Sequence, residues 1–157
     1  MKNSKRAAWL AMVALLVIAR TAAGQGTLQV AGKDYKLQHV VAYETKYFDE
    51  KAIAVFLCAK PIPMEKLKKA LKTGSDDDFT YFEPKVKLTF NQLGKLISVF
   101  AWADNSSMSV SGTVGAAKVE ASFNDGKAHG TVALANEDSN PKYRFDVTFD
   151  TPILKSP

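Results

Sequence analysis

The chain has 157 residues, 46% of them hydrophobic, with 21 Lys and Arg against 16 Asp and Glu. Four of the basic residues and none of the acidic ones lie in the first 24 positions, so residues 25–157 carry 17 against 16, a net of +1. A mainly electrostatic grip on nucleic acid therefore has no basis in the body of the chain. The lone cysteine, Cys58, excludes an intramolecular disulfide framework.

Residues 1–24 have the three-part form of a secretory signal peptide. Lys2, Lys5 and Arg6 form a positive start, Ala7 to Ala19 an uncharged apolar run, and Ala22, Ala23 and Gly24 a small-residue cleavage region. A cut after Gly24 places Ala22 and Gly24 in the shallow peptidase pockets, and a cut after Ala23 uses Thr21 and Ala23. The run is too short to cross roughly 30 Å of hydrocarbon, and Arg20 closes it. The expectation is a periplasmic or secreted protein with no membrane span after cleavage. Residues 25–157 then suffice for one domain with its own core.

Alternation of apolar and polar residues dominates the remainder and predicts strands buried on one face. Leu28 and Val30 start it, and Gly32-Lys33-Asp34 marks a turn. Tyr35, Leu37, His39, Val41 and Tyr43 then fall on one face, with Lys36, Gln38 and Glu44 on the other. The chain turns near Asp49-Glu50. Ala52 to Ala59 is apolar on both faces, as suits a central strand covered on both sides. A short helix follows Pro63, with Met64, Leu67 and Leu71 sharing a face and Gly74 as its C-terminal cap. Lys66, Lys68, Lys69 and Lys72 form its basic face. Asp76-Asp77-Asp78 reads as a polar loop, followed by the aromatic trio Phe79, Tyr81 and Phe82.

Alternation resumes with Val86, Leu88 and Phe90, and Leu93-Gly94-Lys95 turns into a second two-sided apolar run, Leu96 to Ala103. Asp104 to Ser107 is a turn before Met108, Val110 and Val114. Asn124-Asp125-Gly126-Lys127 is the strongest hairpin signal. The last strand alternates Tyr143, Phe145, Val147 and Phe149 with Arg144, Asp146, Thr148 and Asp150. The pattern predicts a mainly β fold: an antiparallel sandwich or partly closed barrel of about 8–10 strands with one short helix.

Two stretches resemble a group of uncharacterised exported bacterial proteins. One runs from Gly32-Lys33-Asp34-Tyr35 through His39-Val40-Val41-Ala42-Tyr43 to Val55-Phe56-Leu57 and Lys60-Pro61. The other is Phe145-Asp146-Val147-Thr148-Phe149-Asp150 with Pro152. The resemblance implies export and a β-rich fold, and carries over no activity or site residue.

Catalytic signatures are sparse. The histidines, His39 and His129, are far apart, one expected on an apolar face and one on a polar face, which does not make a metal site. Cys58 lies in the apolar run Val55-Phe56-Leu57-Cys58-Ala59, where cysteine behaves as a small buried hydrophobe. Neither a Gly-x-Ser-x-Gly elbow nor a Gly-rich phosphate loop occurs. Consecutive aspartates do not follow the alternating ligand pattern of a calcium loop. Asn105-Ser106-Ser107 matches a glycosylation acceptor on a turn. No cofactor is implied.

The function expected is a non-catalytic extracytoplasmic binding or structural module for a protein or cell-envelope component. A carrier of a small apolar ligand inside a barrel is the alternative, and an enzyme with a carboxylate site assembled only in three dimensions the second. The candidate interaction surface is Lys66, Lys68, Lys69, Lys72, Phe79, Tyr81 and Phe82. It belongs to an insertion longer than a hairpin loop requires. The competing reading has the helix plug an open barrel end or cover one sheet, because so short a helix must pack to exist.

Overall fold

The computed structural model describes residues 22–73, 83–112 and 114–155. Ten strands and one helix follow in chain order. They are β1 (Ala23–Val30), β2 (Lys33–Leu37), β3 (His39–Tyr47), β4 (Glu50–Cys58), α1 (Met64–Thr73), β5 (Lys85–Asn91), β6 (Leu96–Ala103), β7 (Ser106–Ser111), β8 (Lys118–Asn124), β9 (Lys127–Asn136) and β10 (Tyr143–Leu154). The mainly β reading with a single short helix therefore holds.

The strands hydrogen-bond in the order β2-β1-β10-β3-β4-β5-β6-β7, with β9 also on β10 and β8 on β9. All pairs are antiparallel except β10 with β3, where Ile153 and Leu154 lie beside Ala42 and Tyr43. β10 is the hinge of the architecture. Most of its length pairs with β1 and β9, and its end joins β3, so one sheet passes into the other. The sheet folds over a single large core instead of closing into a barrel. Tyr143, Phe145, Val147 and Phe149 enter that core from β10, as their alternation predicts, and meet Val55, Leu57, Val86, Leu88 and Phe90. The rings of Phe90 and Phe123 lie 4.9 Å apart, and those of Phe90 and Phe149 6.2 Å apart. Packing of this kind occupies the volume between the layers with side chains.

Tyr35 donates a hydrogen bond to the Asp104 carboxylate, and Lys33 lies 3.2 Å from the same group. These contacts join the β1–β2 and β6–β7 hairpins, whose strands include both ends of the strand order. They also hold the Asp104 carboxyl below its ordinary range, the Tyr35 hydrogen bond acting most and the Lys33 ammonium next.

One face assignment is corrected. Leu37 faces the large core together with Val40 and Ala42, while Val41 and Tyr43 face the other way. The ladder breaks at Gln38, whose N–H donates to the Cys58 carbonyl between β2 and β3. A one-residue break reverses every later side chain, because the strand period is two.

The outer face of β3 and β4 carries a second, smaller core. Val41, Tyr43, Ala54, Phe56 and Cys58 are covered there by Leu67 and Ala70 of α1, with Leu71, Ile62 and Leu154 at the margin. β4 is thus buried on both faces, as its sequence predicts. The helix covers a sheet and plugs no barrel end. Its buried stripe also differs from expectation, since Ala70 is buried and Met64 is 37% exposed. Met64 opens the helix, one turn before the contact with β4. The Pro63 carbonyl accepts the first helical bond, from Leu67 N–H. Gly74 lies outside the described residues.

Candidate functional site: an exposed hairpin end

The predicted interaction surface divides. Lys66, Lys68, Lys69 and Lys72 are all exposed on the solvent side of α1. Lys68 lies 3.2 Å from Glu65, an ordinary surface pair one turn away. Phe79, Tyr81 and Phe82 lie outside the described residues. The four lysines stand on the side of the helix opposite Leu67 and Ala70, which pack on the sheet.

Two regions that sequence reading passed over are more informative. The first is the end of the molecule formed by the β3–β4 and β5–β6 turns. Among the described residues, four hairpin turns place two successive residues at positive φ: Ala31-Gly32, Phe48-Asp49, Asp104-Asn105 and Asp125-Gly126. Such turns match the twist of their flanking strands and favour Asn, Asp and Gly. All four follow that chemistry at one position or both. The β3–β4 turn differs in placing a bulky side chain, Phe48, at φ 47°, in the left-handed region that such side chains avoid. Phe48 is moreover 87% exposed, its ring edge-on to Tyr47 at 4.7 Å.

The neighbouring β5–β6 turn repeats the exposure. Leu93 is 92% exposed. Its turn is rigid, because the Asn91 side-chain carbonyl accepts from the N–H groups of Leu93 and Lys95 at 3.0 and 2.9 Å. Gly94 completes it at φ 74°. Pairing of Ala52 with Asn91 sets the two turns side by side. Between them is an open cleft of about 460 Å³ lined by Asp49, Glu50, Lys51, Asn91, Gln92 and Leu93. Asp49 and Glu50 make no ion pair among the described residues. The signal was present in the sequence: Tyr47-Phe48 breaks the alternation immediately before a turn aspartate.

The second region is interior. Lys85 opens β5 opposite Cys58 on one side and Trp102 on the other, and is only 2% exposed. Its ammonium lies 4.7 Å from the Trp102 ring centre and 5.7 Å from that of Phe100. Burial pulls the Lys85 pKa down to about 8, against the upward pull of the Glu83 carboxylate. Beside it, burial pushes the Cys58 thiol up to about 11, and its S–H donates to the Lys60 carbonyl at 2.9 Å. A thiol held protonated in this way is a poor nucleophile.

His39 shares the outer face of β3 with Val41, and His129 is exposed on β9, 4.0 Å from Asp150. No group of three metal-ligating side chains gathers among the described residues. Two carboxylates with displaced pKa values, Asp104 and Glu137, are both displaced downward by hydrogen-bonded partners, for Glu137 Arg144 first and then Lys142. That is the direction of a structural ion pair, opposite to that of a general acid. No family model, curated protein or solved structure matches the chain.

Proposed function

We propose that this protein is an exported, non-catalytic docking module that meets a cell-envelope partner through the β3–β4 and β5–β6 turns. The observation that carries this reading is Phe48, which combines left-handed backbone with 87% exposure. The two-residue turn needs the left-handed backbone, but a bulky, exposed apolar side chain there costs stability that Asn or Gly would not. Leu93 on the adjoining turn adds a second apolar anchor, and the cleft between the two turns supplies polar groups. Apolar anchors around hydrogen-bonding groups are the anatomy of interface hot spots. The strands behind the turns give a rigid mount, as binding loops need.

Export rests on residues 1–24 as a signal peptide. β1 begins at Ala23, with Ala23 and Gly24 paired to Asp150 and Phe149. A cut after Gly24 removes those two rungs, and a cut after Ala23 keeps Gly24 beside Val40, where a Cβ would lie 2.5 Å from the valine. Mass spectrometry of the extracytoplasmic protein should find Gly24 or Gln25 first. An intact N-terminus in that fraction would overturn the export half of the reading.

The docking half is tested by photo-crosslinking in the producing cell. A photoreactive side chain in place of Leu93 should give discrete adducts, and one in place of Thr148, on the exposed face of β10, should not. Equal yields at the two positions would sink it.

A further inference from the structure

We infer that the occupant of the cleft between the two turns is an arginine-bearing segment of a protein partner. This rests on the docking reading and names the partner's chemistry. The cleft is mixed in a way that suits one kind of side chain. Leu93 is the apolar residue of its lining, the exposed Phe48 directly precedes the lining residue Asp49, and the lining holds two acidic residues, Asp49 and Glu50, against one basic residue, Lys51. An arginine matches both. Its methylene stem packs on apolar surface while its head stays polar. The planar guanidinium stacks on an aromatic ring and pairs with a carboxylate through two parallel hydrogen bonds. Phe48 and Asp49 are adjacent residues of one turn, so an exposed ring and a carboxylate lie within the span of one arginine-bearing segment.

Other occupants fit less well. An anionic lipid surface would be repelled by Asp49 and Glu50 at the point of insertion, and a bilayer has no use for a polar cleft between two protruding side chains. An acidic segment meets the same carboxylates. The Asn91 side-chain carbonyl is already engaged by the Leu93 and Lys95 N–H groups, so the carboxylates are the strongest acceptors in the cleft. The volume of about 460 Å³ exceeds one side chain and leaves room for its apolar neighbours.

The test is amide-resolved NMR of the labelled protein with three probes. One is a capped tripeptide with arginine between two leucines, and the second is its glutamate counterpart. The third is a vesicle of mixed zwitterionic and anionic phospholipid. The arginine peptide should give saturable shifts at Phe48 to Lys51 and at Gln92 to Gly94. Its affinity should fall about fivefold when Asp49→Asn and Glu50→Gln are combined, the size expected for exposed ion pairs. Both substitutions are on the surface, so unchanged spectra elsewhere establish that the variant is folded. Equal binding of the arginine and glutamate peptides would overturn the inference and leave the docking end standing. Vesicle binding lost in Phe48→Asn with Leu93→Ser would do the same, with lipid as the occupant. No response at the two turns to any probe would overturn the inference and the docking reading together.

Discussion

Two reversals of the rule that the strands follow differ in kind. The β3–β4 turn puts Phe48 into water, and β5 puts Lys85 into the interior. The two reversals differ in what they cost and in what they permit. Exposed apolar surface costs free energy in proportion to its area, and that cost is recovered when a partner covers it. A buried ammonium costs proton affinity, and Lys85 recovers part of that cost from the Trp102 and Phe100 rings inside the fold. At 2% exposure Lys85 lies inside the fold. One reversal faces outward and is available for function, while the other is settled within the structure.

Replacing Lys85 should give the largest effect. A pKa drawn from 10.5 to about 8 corresponds to about 3 kcal/mol spent on keeping the ammonium charged. Lys85→Met removes that cost along with the ring contacts, so denaturant unfolding at pH 7 should show a gain of about 1–3 kcal/mol. A loss would mean that the ammonium has strong compensation, and the contrast with Phe48 would collapse. The pH dependence gives an independent reading. Because the folded-state pKa of Lys85 is depressed, its contribution is fully present above 10.5 and is lost as pH falls through about 8. Cys58 has the opposite sign: its pKa is raised, so its contribution is present below 9 and is lost as pH rises through about 11. Between pH 9 and 10.5 the two oppose each other. Relative to the parent, Lys85→Met should lose the rise in stability from pH 8 to 10.5, and Cys58→Ala should lose the fall from pH 9 to 11.

The turn should give a smaller effect of the same sign. Phe48→Asn keeps the left-handed backbone and relieves the penalty of a bulky side chain there. It gives up the edge contact with Tyr47. A net gain of about 1 kcal/mol in thermal or denaturant unfolding is expected, together with loss of the crosslinking expected at the neighbouring turn. If the variant is less stable and docks normally, Phe48 is a structural residue and the comparison fails on its outward side.

The strands were legible because their alternation reports one buried face, and β10 and the Asp125-Gly126 hairpin follow the pattern residue by residue. Gln38 was not, since nothing in a period of two reveals that a ladder stops for one residue. Ala70 was missed in the helix because a small side chain carries little hydrophobic signal, while Met64 carries much and lies outside the contact. Lys85 opens a strand whose inner face, Val86, Leu88 and Phe90, reads correctly. Its outer face reads as solvent, because alternation does not say what covers the second side of a sheet. Phe48 was visible as an interruption, but its left-handed backbone appears only in three dimensions.

The helix lysines supply the smallest expected effect and the control for both reversals. They obey the rule: charge faces water, and Leu67 and Ala70 face the sheet. Lys68 and Lys69 are both on the solvent side, and the only pair that Lys68 makes among the described residues is with Glu65 at 3.2 Å. An exposed i,i+3 pair contributes about 0.3–0.5 kcal/mol, and alanine has a slightly higher helix propensity than lysine, which offsets part of its loss. Lys68→Ala with Lys69→Ala should therefore change unfolding free energy by less than about 0.5 kcal/mol. The same protein should crosslink through position 93 as the parent does, because the docking end is built from β3 to β6 and draws nothing from α1. Weaker crosslinking in a variant of unchanged stability would move the contact surface onto the helix. Phe48 would then be an exposed, strained residue without a partner, and the distinction between a cost met outside the fold and one met inside it would lose its functional half.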